Sequence, residues 1–102
     1  MAPEIETLTI YPNPAKDHFT AFIMTNRPDE VQTVECSLID LSGREILRKE
    51  LKDKPTDGSW KIEFDLNKNG KVSSGLYFLR ARIATENSNF AEKTEKIMVI
   101  AQ

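Results

Sequence analysis

The sequence lacks the features of several protein classes. It has one cysteine among 102 residues, Cys36, so the chain cannot form an internal disulfide and must be stabilised by packing. Its uninterrupted apolar runs, such as Ile97 to Ile100, are far shorter than the roughly 18 residues of a membrane-spanning helix. The formal net charge is only −2, with 14 Lys+Arg against 16 Asp+Glu, which argues against a sequence-independent nucleic-acid binder.

The first residues, Met1 to Glu4, lack the apolar segment of a signal peptide. Two origins are therefore expected: a cytosolic protein, or the excised end of a longer secreted chain. Hydrophobic residues make up 39 % of the chain, which is too much for a disordered tail. The sequence thus predicts one packed domain spanning residues 1–102.

Catalytic and metal-binding patterns are also missing. His18 is the sole histidine, and no glycine-rich phosphate loop is present. Cys36 lies in mid-strand on the same apolar face as Val34 and Leu38, as a buried, inert thiol would. The segment from Asp65 to Gly70 matches the start of an EF-hand loop, but its twelfth position is Leu76 rather than glutamate. We therefore expect a hairpin loop there, and no catalytic residue, metal or cofactor in the chain.

What the sequence contains is period-two alternation, interrupted by proline, glycine, asparagine and aspartate. In the clearest example, Trp60, Ile62 and Phe64 alternate with charged residues, as they would in a half-buried strand. Arg80 and Arg82 alternate with apolar residues, which predicts a solvated outer face rather than an anion site. Seven strands are expected, at 7–11, 18–25, 33–41, 45–51, 59–66, 76–84 and 90–100. This spacing is typical of an all-β, Ig-like antiparallel sandwich.

Four short segments, in this order, resemble a known family: Tyr11 to Ala15 (YPNPA), Asp40 to Arg44 (DLSGR), Gly75 to Tyr77 (GLY) and Lys96 to Val99 (KIMV). Together they resemble the C-terminal sorting domain of the type IX (Por) secretion system of Bacteroidetes. The resemblance runs from about Leu8 to the end of the chain. Each segment alone is common, and the specificity comes from their order and spacing.

The residues of the first two segments have plausible structural roles. Pro12-Asn13-Pro14 would end the first strand, because proline cannot continue a ladder and the asparagine amide can cap neighbouring backbone groups. Asp40 and Gly43 would bracket a tight turn, after which Arg44 could pair with Asp40.

The third segment suggests two further roles. Gly75 would permit a close backbone approach before the following strand. Tyr77 would bury its ring and tie its hydroxyl to the backbone, as the tyrosine corner of Ig-like sandwiches does.

The resemblance implies that the domain is a non-catalytic address. Family members lie at the C-terminus of secreted proteins, pass through the periplasm to the outer membrane and cell surface, and have as partners the type IX secretion components and outer-membrane surface complex proteins. Recognition would involve the final strand region, which maps here to Lys93, Lys96, Ile97, Met98, Val99 and Ile100. An exposed terminal strand could pair edge to edge with a translocon component or with a second copy.

Two alternatives stay open at this point. The stretch from Tyr77 to Lys96 is longer than in common cargo domains and looks more like the C-terminal domain of the system's own gingipain-like sortase, a cysteine peptidase. In that protein the domain would be retained rather than cleaved. A generic Ig-like adhesion or spacer module is the other alternative, and an aromatic ring exposed on a strand face would favour it.

Overall fold

The computed structural model describes residues 3–52, 57–67, 72–86 and 89–100. The expected Asn69-Gly70 turn lies outside these residues. Within them the chain forms seven strands and one short 3₁₀ helix, Pro28–Glu30. The strands are β1 (Ile5–Tyr11), β2 (His18–Thr25), β3 (Val31–Ile39), β4 (Glu45–Leu51), β5 (Ser59–Asp65), β6 (Gly75–Thr85) and β7 (Phe90–Val99).

The strands form two antiparallel sheets, one with the order β1-β2-β5 and one with the order β4-β3-β6-β7. The chain passes from one sheet to the other after β2, after β4 and after β5. This arrangement confirms the all-β, Ig-like sandwich expected from the alternation pattern. No helix among the described residues has the length and apolar character needed to cross a membrane.

Two strands begin two residues earlier than the alternation predicts. β1 starts at Ile5, which is buried, although Leu8 and Ile10 lie in the same core from even-numbered positions. The register with β2 shifts between Ile5 and Thr7, and this irregularity turns Ile5 inward. β3 has the same kind of shift between Val31 and Thr33, which brings Val31 into the core.

The core fills the space between the two sheets. Trp60, Ile62 and Phe64 of β5 face it as expected, and the Phe64 ring stacks on Phe19 with centroids 4.8 Å apart. The core also receives side chains from β3 and β6: Val34, Cys36, Leu38, Tyr77, Leu79, Ala81 and Ile83. Burial of these apolar side chains is the main stabilising contribution, since no disulfide is present among the described residues.

A lysine connects the two sheets where β4 lies next to β5. Lys49 lies at an inward-facing position of β4, and its ammonium donates to the backbone carbonyl of Glu63 on β5. The same ammonium lies 5.9 Å from the centre of the Phe64 ring. The lysine therefore links β4 of one sheet to β5 of the other at a single point.

Candidate interaction surface at the terminal strand

Strand β7 is an edge strand of the four-stranded sheet. It pairs with β6 in an unbroken register from Gly75 opposite Val99 to Ala84 opposite Phe90. Alternation along β7 places Ile97 and Val99 in the core, with 0 % and 1 % of their surface exposed.

The structure thus divides the six residues expected to be recognised. Met98 is 41 % exposed and Ile100 is 44 % exposed. Lys96, two residues before Met98, is also exposed. Lys93 is half-buried. Ile97 and Val99 anchor the strand, so in the folded domain a partner can reach only the other four side chains.

Asn13, from the loop between β1 and β2, binds the outer edge of β7. Its Nδ2 donates to the Lys96 carbonyl at 3.1 Å, and its Oδ1 accepts from the Met98 backbone N–H at 3.0 Å. The side-chain amide thus makes the two bonds that a backbone amide of a neighbouring strand would make. The expectation that Asn13 caps its sequence neighbours is wrong, because its partners lie 83 and 85 residues away.

Ala15 continues this ladder along β7. Its N–H donates to the Met98 carbonyl at 2.8 Å, and its carbonyl accepts from the Ile100 N–H at 2.8 Å. Asn13 and Ala15 together therefore form a short parallel strand made of one side chain and one backbone unit, which we call the latch. Ala15 is fully buried, and the Tyr11–Pro12 and Asn13–Pro14 peptide bonds around the latch are both cis.

The latch leaves part of the β7 edge open. The backbone groups that point outward to the latch belong to Lys96, Met98 and Ile100. Because alternate residues of a strand direct their backbone groups to the same edge, the backbone groups of Glu92 and Thr94 also point outward. No described strand pairs with β7 at those two positions. Strand addition of the kind expected from the sequence would have to occur there or displace the latch.

The Asp40 turn joins β3 to β4. The Asp40 carboxylate accepts from the Ser42 hydroxyl at 2.6 Å and from the Arg44 backbone N–H at 2.9 Å, and it forms an ion pair with Arg44 at 3.3 Å. The Ser42 hydrogen bond and the Arg44 N–H hold the pKa of Asp40 below its ordinary value. Gly43 has φ +91, which glycine adopts without strain. The predicted turn and the predicted Asp40–Arg44 pair are both confirmed.

The start of β6 contains the tyrosine corner. The Tyr77 ring is 8 % exposed, and its hydroxyl donates to the Ser73 carbonyl at 2.7 Å. This confirms the predicted role of Tyr77. The close approach expected at Gly75 is wrong, because an added Cβ would meet only Tyr77 Cε1 at 3.9 Å. The glycine is instead suited to its φ of +155.

The histidine and the cysteine of the chain lie in different sheets. Cys36 is fully buried in β3, and burial raises the pKa of its thiol to about 12. His18 is exposed at the start of β2. No group of three or more His, Cys, Asp and Glu side chains that could hold a metal ion exists among the described residues.

Exposed aromatic rings bear on the adhesion alternative. Phe90 is 61 % exposed at the start of β7, but the Arg82 guanidinium lies 5.1 Å from its ring centre and covers one face. Tyr11 is 44 % exposed at the end of β1. These two rings lie on different sheets, so they form no shared stacking platform.

Comparisons with known proteins agree with the sequence motifs. The family model of the secretion system C-terminal sorting domain, Por_Secre_tail, matches residues 9–100. No curated protein matches the chain significantly.

Solved structures show the same fold. Dimeric latent PorU from Porphyromonas gingivalis matches with a TM-score of 0.79 and 24% identity, over 93% of this chain and 9% of PorU. The PmoD soluble domain from Methylocystis sp. matches with a TM-score of 0.58 and 16% identity, over 86% of this chain and 76% of that one. CopC from Methylosinus trichosporium matches with a TM-score of 0.53 and 11% identity, over 94% of this chain and 96% of CopC.

The family match extends over nearly the whole sandwich, from β1 to the end of β7, and includes the latch, the Asp40 turn and the tyrosine corner. The structural likeness to PorU covers only a small part of that protein and therefore concerns this domain alone. The chain belongs to the family of C-terminal sorting domains of the type IX secretion system.

Proposed function

We propose that this chain is a non-catalytic sorting signal that the type IX machinery recognises as a folded domain and directs through the periplasm to the outer membrane and cell surface. The family match supports the sorting role. The observation that carries the proposal is the fixed end of β7. Ile97 and Val99 hold it from the core side, and Asn13 and Ala15 hold its outer edge.

This anchoring gives the machinery a rigid surface to bind. Lys96 and Met98 project from the outer face of the sheet, and Ile100 follows directly. The backbone that carries them is held before binding, so little backbone conformational entropy is lost when a partner binds. We infer that Lys96, Met98 and Ile100 make the contacts, and that Lys93, which lies opposite the buried Ala81 on the core-facing side of β7, adds a charge at the edge of the strand. The partners are outer-membrane translocon and surface complex proteins.

Export of a fused reporter tests the proposal. The reporter precedes the chain, and surface-exposed reporter is measured in a bacterium that has a working type IX system. We expect Lys96→Glu combined with Met98→Glu to reduce surface reporter strongly, because both substitutions place a negative charge on the proposed contact surface. Lys61→Glu with Met24→Glu is the matched control, since both residues are exposed on the other sheet.

Equal urea midpoints for the two double variants would establish that any difference lies in recognition and not in folding. Equal loss of surface reporter for both pairs would contradict a recognition site at the end of β7, as would full export of the β7 pair.

The length of the last hairpin supports a second candidate. β6 has 11 residues and β7 has 10, which makes this the longest pair of neighbouring strands in the described chain. A long hairpin fits a domain that the sortase retains rather than one that is cleaved from cargo. An antibody against the domain separates these cases, because a retained domain stays with the surface reporter and a cleaved one is lost from it.

A further inference from the structure

One half of the outer face of the four-stranded sheet is neutralised by ion pairs. Arg48 on β4 pairs with Glu35 on β3 at 2.7 Å. Arg82 on β6 pairs with Glu92 on β7 and also stacks on Phe90. The charges in this half of the face are therefore satisfied within the domain.

The other half of the same face is apolar. The strand register places Ile39 beside Phe78, and Leu76 beside Met98. Met98 is 41 % exposed, and the other three side chains are half-buried although no second layer covers this face in the described chain. We call these four residues the apolar half-face.

Two cations border the apolar half-face. Lys96 lies opposite Phe78, and Arg80 lies opposite Thr94, so the two cations are diagonal neighbours on adjacent strands. Neither forms an ion pair or a side-chain hydrogen bond with any described residue.

The two carboxylates diagonal to Arg80 on the neighbouring strands are already engaged. Its diagonal neighbours across the strand pairs are Glu35 and Glu92, which are held by Arg48 and Arg82. Arg80 and Lys96 thus remain available to an acidic group from outside the domain.

We infer that the apolar half-face, with Arg80 and Lys96, docks an acidic and partly apolar segment of a protein of the secretion machinery. This inference rests on the proposed sorting function and extends the contact surface from β7 to β6. Apolar contacts would supply binding energy, and the two free cations would select partners that carry carboxylates beside apolar side chains. Arg80, which no motif of the sequence marks, becomes the residue that determines specificity.

Two arginines on one strand provide a matched pair for the test. Arg80 and Arg82 lie two residues apart on the same face of β6, but only Arg82 forms an ion pair within the described part of the chain. We expect Arg80→Gln to reduce surface reporter about fivefold or more, because loss of a hydrogen bond to a charged group costs about tenfold or more in affinity. Arg82→Gln is expected to change export less than twofold, and Arg80→Lys is expected to preserve most of it.

The result also separates this inference from the sorting role. Normal export of the unaltered chain together with normal export of Arg80→Gln would overturn the inference alone. Failure of the unaltered chain to export its reporter would overturn the sorting role, and with it the inference. A greater loss in Arg82→Gln than in Arg80→Gln would also overturn the inference.

A binding experiment with the purified chain identifies the chemistry of the partner. Backbone amide shifts are followed by NMR during titration with a short peptide of alternating aspartate and leucine. Shifts are expected at Phe78, Arg80, Lys96 and Met98, and Arg80→Gln should weaken binding about tenfold. The same peptide with lysine in place of aspartate should produce no shifts at these amides. Larger shifts with dextran sulfate than with the acidic peptide would overturn the inference in favour of an anionic polymer.

Discussion

The latch makes a quantitative prediction about the stability of the domain. Asn13→Ala removes both side-chain bonds to β7 and leaves the Met98 N–H without its partner. A hydrogen bond contributes about 0.5–1.5 kcal/mol net to stability. Both bonds are exposed, so water can partly replace them, and the expected loss in the free energy of unfolding is about 1–2 kcal/mol. In a domain of this size that corresponds to a fall in Tm of roughly 5–15 °C.

Urea unfolding followed by fluorescence of Trp60 measures this loss, because the indole is 3 % exposed in the folded domain. Gln32→Ala is the control, since Gln32 is exposed and makes no side-chain hydrogen bond with the described residues. Amide exchange gives a residue-level readout. Protection of the Met98 N–H from exchange should fall more than protection of the Ile100 N–H, because the Ile100 N–H still donates to the Ala15 carbonyl. Unchanged stability together with unchanged Met98 protection would refute the role assigned to Asn13.

Two other predictions concern the tyrosine corner and the Asp40 turn. Tyr77→Phe removes the bond to the Ser73 carbonyl and should cost about 1 kcal/mol in urea unfolding, whereas Tyr11→Phe, at an exposed ring, should cost almost nothing; equal costs would contradict the tyrosine corner. Because the pKa of Asp40 is lowered from 3.8 in the folded state, its contribution to stability is complete above 3.8 and is lost as the pH falls through the folded value. The Tm difference between the unaltered chain and Asp40→Asn should therefore shrink as the pH falls below 3.8, and a pH-independent difference would show that the carboxylate charge is not involved.

The local sequence pattern was sufficient to predict the strands, the Asp40 turn and the tyrosine corner. Period-two alternation placed Trp60 and Phe64 inward, and Asp40 finds its hydrogen-bond donors within four residues along the chain. The tyrosine corner is equally local, because Tyr77 reaches only to Ser73. These features depend on residues that are close together in the sequence, so the local sequence is enough to predict them.

The features that define the candidate surface depend on contacts between distant segments. The partners of Asn13 lie 83 and 85 residues away, so nothing near the YPNPA motif indicates that its amide completes the edge of the last strand. Arg80 and Arg82 are equivalent in the alternation pattern. They differ because the register places glutamates on both sides of Arg82, Glu92 on β7 and Glu35 on β3, and none directly opposite Arg80. Register between strands cannot be read from either strand alone.

The early starts of β1 and β3 could not be predicted from alternation alone either. A bulge reverses the facing of every residue before it, so Ile5 and Val31 become core residues at positions where simple alternation points outward. Their apolar character is a weak signal that the strands extend further toward the N-terminus.

We propose that this folded chain is sufficient as a type IX sorting signal. A comparison of two strains measures this sufficiency. The unaltered chain is fused behind a reporter, and surface-exposed reporter is measured in a bacterium with a working type IX system and in the same bacterium without its outer-membrane translocon. We expect reporter at the surface of the first strain and its retention in the periplasm of the second. Equal amounts of surface reporter in both strains, or none in either when periplasmic reporter is intact, would contradict this proposal.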